Sequence, residues 1–167
     1  MELKEKYIEL YMDFATRIAQ LSSATRLKVG AVIVNNNILV YGYNGTPSGW
    51  DNNCEYPVYM GIDAGAWLAP EEIETQWPYV DEQGKRYTLK TKPETLHAEM
   101  NALMKLAKST EHGDGASIFI THNPCIECAK GIYQAGIKQV FWRDLYRNDD
   151  GLIFLKKANI DVIQISK

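Results

Sequence analysis

Between Leu3 and Leu21 the apolar positions Ile8, Tyr11, Met12, Ala15, Ile18 and Ala19 recur at intervals of three and four, which predicts an amphipathic helix. The period then changes. Val29-Gly-Ala-Val-Ile-Val34, the polar run Asn35-Asn36-Asn37, and Ile38-Leu-Val-Tyr41 predict a hairpin. Residues 42 to 96 hold five of the six prolines and three of the four tryptophans, and read mostly as loop with short irregular pieces. That stretch is too aromatic for disorder, and is expected to pack as an insertion, about 46–95, over a site or against another subunit. A covering loop with no specific role is an equal alternative. Regularity returns at His97, where a helix to about Ser109 carries Met100, Leu103, Met104 and Ala107 on its expected buried stripe, followed by a strand Ala116–Thr121. Asn123 as N-cap and Pro124 at the first helical position put Cys125 and Cys128 on the opening turn of the next helix. A strand Lys138–Trp142, a helix Asp150–Ala158 and a strand Asp161–Ile165 complete the order. Strands separated by helices imply parallel pairing and a three-layer α/β sandwich.

At 167 residues the chain can fill one core and is expected to form a single domain over 1–167. A formal charge of −3 with a pI near 5.6 gives no global basic field, so a nucleic-acid partner is not expected, and an anionic ligand must be met by local cations. The alternating charges of Met1-Glu2-Leu3-Lys4-Glu5-Lys6 do not resemble a signal peptide, and no apolar run reaches membrane-spanning length. A cytoplasmic location is the expectation, host cytoplasm if the chain is phage-encoded.

The chemistry is concentrated in two short motifs, His97-Ala98-Glu99 and Pro124-Cys125-Ile126-Glu127-Cys128. Together they offer three good zinc ligands and one carboxylate that need not be a ligand. Zinc held by three protein groups keeps a fourth position open, and water there is acidified to a pKa of roughly 7. Taken alone, Cys-x-x-Cys also suits a redox pair or half of a structural zinc site. Likewise, His97 and Glu99 suit an ordinary helix start, where an acid is favoured. Those readings do not explain the two motifs occurring together. His-x-Glu with Pro-Cys-x-x-Cys resembles the signature of zinc nucleobase deaminases. Cys54, the third cysteine, has no partner within the chain for a disulfide.

The chain resembles the cytidine deaminase superfamily along nearly its whole length and, within it, the deoxycytidylate (dCMP) deaminases of phages and cells. Beyond the zinc motifs, the resemblance rests on Val29–Val34, on Gly42-Tyr43-Asn44-Gly45-Thr46-Pro47 with Gly49, on Met100-Asn101-Ala102, on Ala129-Lys130 and on Gln134–Lys138. It implies a cytidine deaminase-like α/β/α fold with a mixed five-stranded sheet. It implies one catalytic Zn2+ on His97, Cys125 and Cys128, with Glu99 moving protons during hydrolysis at C4 of the base. By the same resemblance, the Ala98 backbone holds the pyrimidine edge, Asn44 contacts the sugar and Tyr146 lies beside the nucleotide. Arg26 and Lys28 match a basic segment suited to the phosphate, Arg26 by a bidentate pair and Lys28 as a compact charge. Arg147 is a weaker candidate, and His122 is placed at the pocket floor.

Some phage relatives add a second, structural zinc. Cys54 stands alone here and His112 lies in a polar turn, so one zinc per chain is expected. Many members are hexamers activated by dCTP and inhibited by dTTP, which implies a homo-oligomer, an effector site at Tyr43, Asn44 and Gly45, and Mg2+ accompanying the effector. The insertion could rebuild, cap or abolish that site, or admit a base substituted at C5. Competing readings are a tRNA adenosine deaminase, a free nucleoside or riboflavin-precursor deaminase, and a catalytically silent zinc scaffold or nucleotide sensor.

Overall fold

The computed structural model describes residues 3–36, 38–61, 63 and 67–165. Helix α1 (Glu5–Ala19) leads into the hairpin β1 (Gly30–Asn35) and β2 (Ile38–Tyr43). After the insertion come α3 (Ala98–Ala107), β6 (Ser117–His122), α4 (Ile126–Gln134), β7 (Gln139–Asp144), α5 (Asp150–Lys157) and β8 (Asp161–Gln164). The main sheet has the order β2-β1-β6-β7-β8. β1 is antiparallel to both neighbours, pairing Ala31 with Gly42 on one side and with Ile120 on the other. β6, β7 and β8 run parallel, so the sheet is mixed.

Three layers follow from where alternate side chains point. Ala31 and Ile33 of β1, Ile118 and Ile120 of β6 and Val140 of β7 share one core with Ala98, Ala102 and Leu103 of α3 and Ile132 of α4. Val32, Val34, Phe119 and Phe141 share the other with Met12, Ala15 and Ile18 of α1. Strands covered on both faces have no reason to alternate polar with apolar, which is why β1 and β6 read as continuous apolar runs.

Two close approaches set the site. A Cβ on Gly42 of β2 would stand 2.3 Å from the Ala98 carbonyl oxygen and 2.5 Å from the Ala102 nitrogen, so α3 lies almost backbone to backbone on β2. A Cβ on Gly151 would stand 2.1 Å from the Pro124 carbonyl oxygen, so α5 presses the same way on the loop entering α4. The first approach corrects the expected buried stripe of α3. Met104 is 52% exposed and Ala107 is also exposed, whereas Ala98, Glu99, Ala102, Leu103 and Leu106 are buried. Small residues line the seam because the backbones are too close for larger ones.

The stretch read as loop is structured. It forms β3 (Glu55–Tyr59), α2 (Pro70–Gln76), β4 (Tyr79–Val80) and β5 (Arg86–Thr91), with an antiparallel sheet in the order β3-β5-β4. Pro57 sits on an edge strand, where a missing N–H is tolerated. Tyr87 stacks on Tyr79 and tilts against Tyr59, so these aromatics pack on one another outside the two main cores. Gly45 and Leu96 exchange backbone bonds of 3.1 and 2.8 Å on either side of this stretch.

Candidate active site

Two helix starts converge at one point. His97 is the N-cap of α3, and Cys125, with φ −69° and ψ 167°, is the N-cap of α4. This corrects the expected cap at Asn123. The Asn123 side chain is already committed elsewhere, accepting from the Tyr146 N–H and donating to the Asn148 carbonyl at 2.6 Å. Cys128 follows in the first turn of α4. The Nδ1 atom of His97 lies 3.5 Å from the Sγ atoms of both Cys125 and Cys128. Zinc bonds of about 2.0–2.1 Å to nitrogen and about 2.3 Å to sulfur, opened to a tetrahedral angle, separate N from S by about 3.5 Å. The three groups therefore fit a tetrahedral ion, and all their ligand atoms lie within 4.8 Å of one another.

The electrostatics point the same way. Cys125 is pulled down to about 3, first by the Cys128 thiol hydrogen bond and then by His97. The hydrogen bond between the two sulfurs, and then burial, drives the Cys128 thiol up. A divalent cation lets both ionise. The N-terminal ends of α3 and α4 add positive potential at the same place. His97 is raised by its hydrogen bond to Cys125. Glu99 points inward from the first turn of α3, is 4% exposed, and is pushed up to about 7 chiefly by burial. A carboxyl poised near neutrality can both accept and return a proton.

His97, Glu99 and Cys125 open on a cleft of about 220 Å³. Arg26, Asn44, Ala98, Tyr146 and His122 also line it, together with His97, Glu99 and Cys125. Arg26 makes no ion pair among the described residues, so its charge is available to an anion. Arg147 instead lies over the Tyr146 ring, 4.9 Å from its centroid. Within the fold, then, the chain presents a three-ligand metal site with a buried acid beside it, open to a cleft with one available guanidinium.

Residues 5–143 match the family described as the cytidine and deoxycytidylate deaminase zinc-binding region. The chain belongs to that family. It is 30% identical to the deoxycytidylate deaminase of Enterobacteria phage T4 over 175 residues, covering 93% of this chain and 88% of that protein. It is 36% identical to the human deoxycytidylate deaminase over 147 residues, covering 85% of this chain and 67% of the human one. Among solved structures, the dCMP deaminase of cyanophage S-TIM5 in complex with dCMP and dUMP superposes with a TM-score of 0.77 and 37% identity, over 98% of this chain and 100% of that one.

Against this deaminase frame, the residues expected from sequence fall into three groups. His97, Glu99, Cys125 and Cys128 are brought together, and Arg26, Asn44, Ala98 and Tyr146 join them in the cleft. Lys28 is exposed and outside the cleft wall. Tyr43 and Gly45 line a second cleft of about 470 Å³ with Lys105 and Asn101, while Asn44, grouped with them from sequence, lines the first. Asn44 is moreover busy with the backbone: its Oδ1 accepts from the Val29 N–H and its Nδ2 donates to the Leu27 carbonyl, each at 2.8 Å. Sequence reasoning missed Glu55, Thr91 and Thr95, which the insertion sends into the active cleft. No local signal marks them, since their partners lie far off in the chain.

Proposed function

We propose that the chain, acting as one zinc-dependent deaminase unit over residues 1–167, converts dCMP to dUMP with release of ammonia and so supplies dUMP for thymidylate synthesis. The observation that carries this reading is a three-residue cluster beside a buried glutamate, opening on a cleft lined by Arg26, which makes no ion pair among the described residues. The similarity to named deoxycytidylate deaminases, and to a solved relative complexed with dCMP and dUMP, supports the choice of nucleotide.

His97, Cys125 and Cys128 would hold the zinc, whose Lewis acidity makes water a nucleophile at neutral pH. Glu99 accepts the proton of the attacking water and delivers protons to ring N3 and to the departing amine. The deep burial of Glu99 keeps bulk water from competing for those protons. Ala98, fully buried at the start of α3, offers backbone to the pyrimidine edge. Tyr146, held by Asn123, flanks the nucleotide, and Arg26 meets the phosphate.

The second cleft supports a regulatory reading. Tyr43 and Gly45 line it, and Lys105 lies 4.7 and 5.8 Å over the rings of Tyr41 and Tyr43, a cation at its edge for an anionic effector such as dCTP or dTTP with Mg2+. Exposed Leu10, Phe14, Leu39 and Tyr41 along α1 and the edge strand β2 support a homo-oligomer, with a hexamer the expectation. Among the described residues no helix is long and apolar enough to cross a membrane. A cytoplasmic site of action remains our reading.

Ammonia release from dCMP, deoxycytidine, dCTP and an RNA hairpin, each with and without added dCTP and dTTP, tests the proposal. The expected result is a clear preference for dCMP. Preference for the hairpin would transfer the assignment to a tRNA adenosine deaminase. Preference for deoxycytidine would make it a nucleoside enzyme, and silence on all four would leave a zinc scaffold.

A further inference from the structure

Arg26 lies on a segment, residues 25–29, that joins α1 to β1 and has no regular secondary structure. Side chains hold it instead. The Thr25 N–H reaches both carboxylate oxygens of Glu55 at 3.2 Å, and the Arg26 N–H donates to Oε1 at 3.2 Å. Asn44 takes the other end through Leu27 and Val29. The Arg26 guanidinium donates from Nη1 to the Thr91 hydroxyl at 3.0 Å. Glu55 opens β3 and Thr91 closes β5, and the two face each other directly across the β3–β5 pair. One cross-strand pair of the insertion therefore grips Arg26 at both ends, by its backbone and by its guanidinium.

The placement has a chemical purpose. Glu55 is 5% exposed and lines a cleft that, on the reading above, receives a dianion. A carboxylate there disfavours a phosphate, so its presence calls for a role other than contacting the ligand. Its oxygens are already occupied by the N–H groups of the Arg26 segment, and Asn53 Oδ1 accepts from the Glu55 N–H at 3.3 Å, fixing the backbone from which it projects.

We propose that Glu55, with Thr91 opposite it, is a positioning residue for Arg26, so that the insertion's small sheet sets where the nucleotide's 5′-phosphate is met. The inference rests on the assignment of Arg26 to the phosphate. It makes nucleotide preference a property of the insertion as well as of the basic segment.

The test compares Glu55→Gln, Thr91→Val and Arg26→Ala, and the two doubles with Arg26→Ala, on dCMP and on deoxycytidine, with zinc content and melting temperature followed throughout. Glu55→Gln should raise KM for dCMP about tenfold, the order expected for losing a charge-assisted hydrogen bond, with kcat within about threefold of wild type. Deoxycytidine turnover should change far less. Thr91→Val, which leaves the buried carboxylate in place, should lower the dCMP to deoxycytidine ratio by about fivefold, as for one neutral hydrogen bond. In the Arg26→Ala background both penalties on dCMP should vanish. Equal losses on the two substrates, or a Glu55→Gln penalty undiminished without Arg26, would show that Glu55 touches the substrate itself or serves only folding, and would overturn the proposal. Should Glu55→Gln not fold, Thr91→Val decides: an unchanged substrate ratio overturns the proposal equally. A wild-type protein silent on dCMP sinks the functional reading and this inference with it, a failure distinct from either variant result.

Discussion

Replacing Glu99 by Gln removes one ionisable group and leaves the shape of the site. Glu99 sits in the first turn of α3, just after His97, is 4% exposed, and is pushed up to about 7 chiefly by burial. Positioned proton transfer contributes about 10²–10⁴ in rate, equivalent to about 3–5 kcal/mol of barrier. Ammonia release from dCMP should therefore fall by about 10²–10⁴, while zinc content should not change because the proposed ligands His97, Cys125 and Cys128 are untouched. A second consequence concerns stability. The carboxyl binds its proton more tightly when folded, so between pH 4.5 and about 7 the folded state keeps a proton that the unfolded state has lost. Stability then falls as pH rises through that window. A rise from 4.5 to about 7 corresponds to about 3 kcal/mol at about 1.4 kcal/mol per tenfold change. In zinc-stripped protein, Glu99→Gln should match wild type near pH 4 and exceed it by about 3 kcal/mol above pH 7, read by urea denaturation. A variant that keeps more than about a tenth of wild-type activity would remove Glu99 from proton transfer. A stability difference independent of pH would refute the buried-charge account.

Three further outcomes follow from the geometry. Arg26→Ala should cost about tenfold to a hundredfold in kcat/KM for dCMP, the range for a lost charge-assisted pair, and much less for deoxycytidine; equal losses would remove its phosphate role. Cys128→Ala should abolish stoichiometric zinc and activity together, and chelation should lower the melting temperature of wild type but not of this variant. Gly42→Ala forces a Cβ to within 2.3 Å of the Ala98 carbonyl oxygen, so it should destabilise the fold by about 1–3 kcal/mol, read by thermal melting. A neutral result there would mean that α3 is free to shift off β2.

The sandwich was legible because its signals are local. α1 shows its stripe in sequence order, and β1 and β6 are apolar on both faces because each separates two cores. The grouping of His97, Cys125 and Cys128 was legible as spacing, since each motif opens a helix. The stripe of α3 was misread because hydrophobic size is a poor guide where backbones nearly touch: Ala98 and Ala102 form the seam, Glu99 is buried for chemistry, and Met104 faces out. The insertion's strands were hidden by Pro57 and by charged residues on a small, half-exposed sheet. Asn123 looked like a cap because caps are local, whereas its partners lie at Tyr146 and Asn148. Glu55 gave no sign at all, its partners being backbone N–H groups of Thr25 and Arg26, which only the folded chain brings to it.

Zinc-edge X-ray absorption on the metal-quantified protein decides whether the proposed zinc site has three protein ligands and an open position. One zinc per chain is expected, with two sulfurs at about 2.3 Å and one imidazole nitrogen at about 2.0–2.1 Å as its only protein ligands. A protein purified fully active without stoichiometric zinc, or a metal closed by a fourth protein side chain, would contradict it.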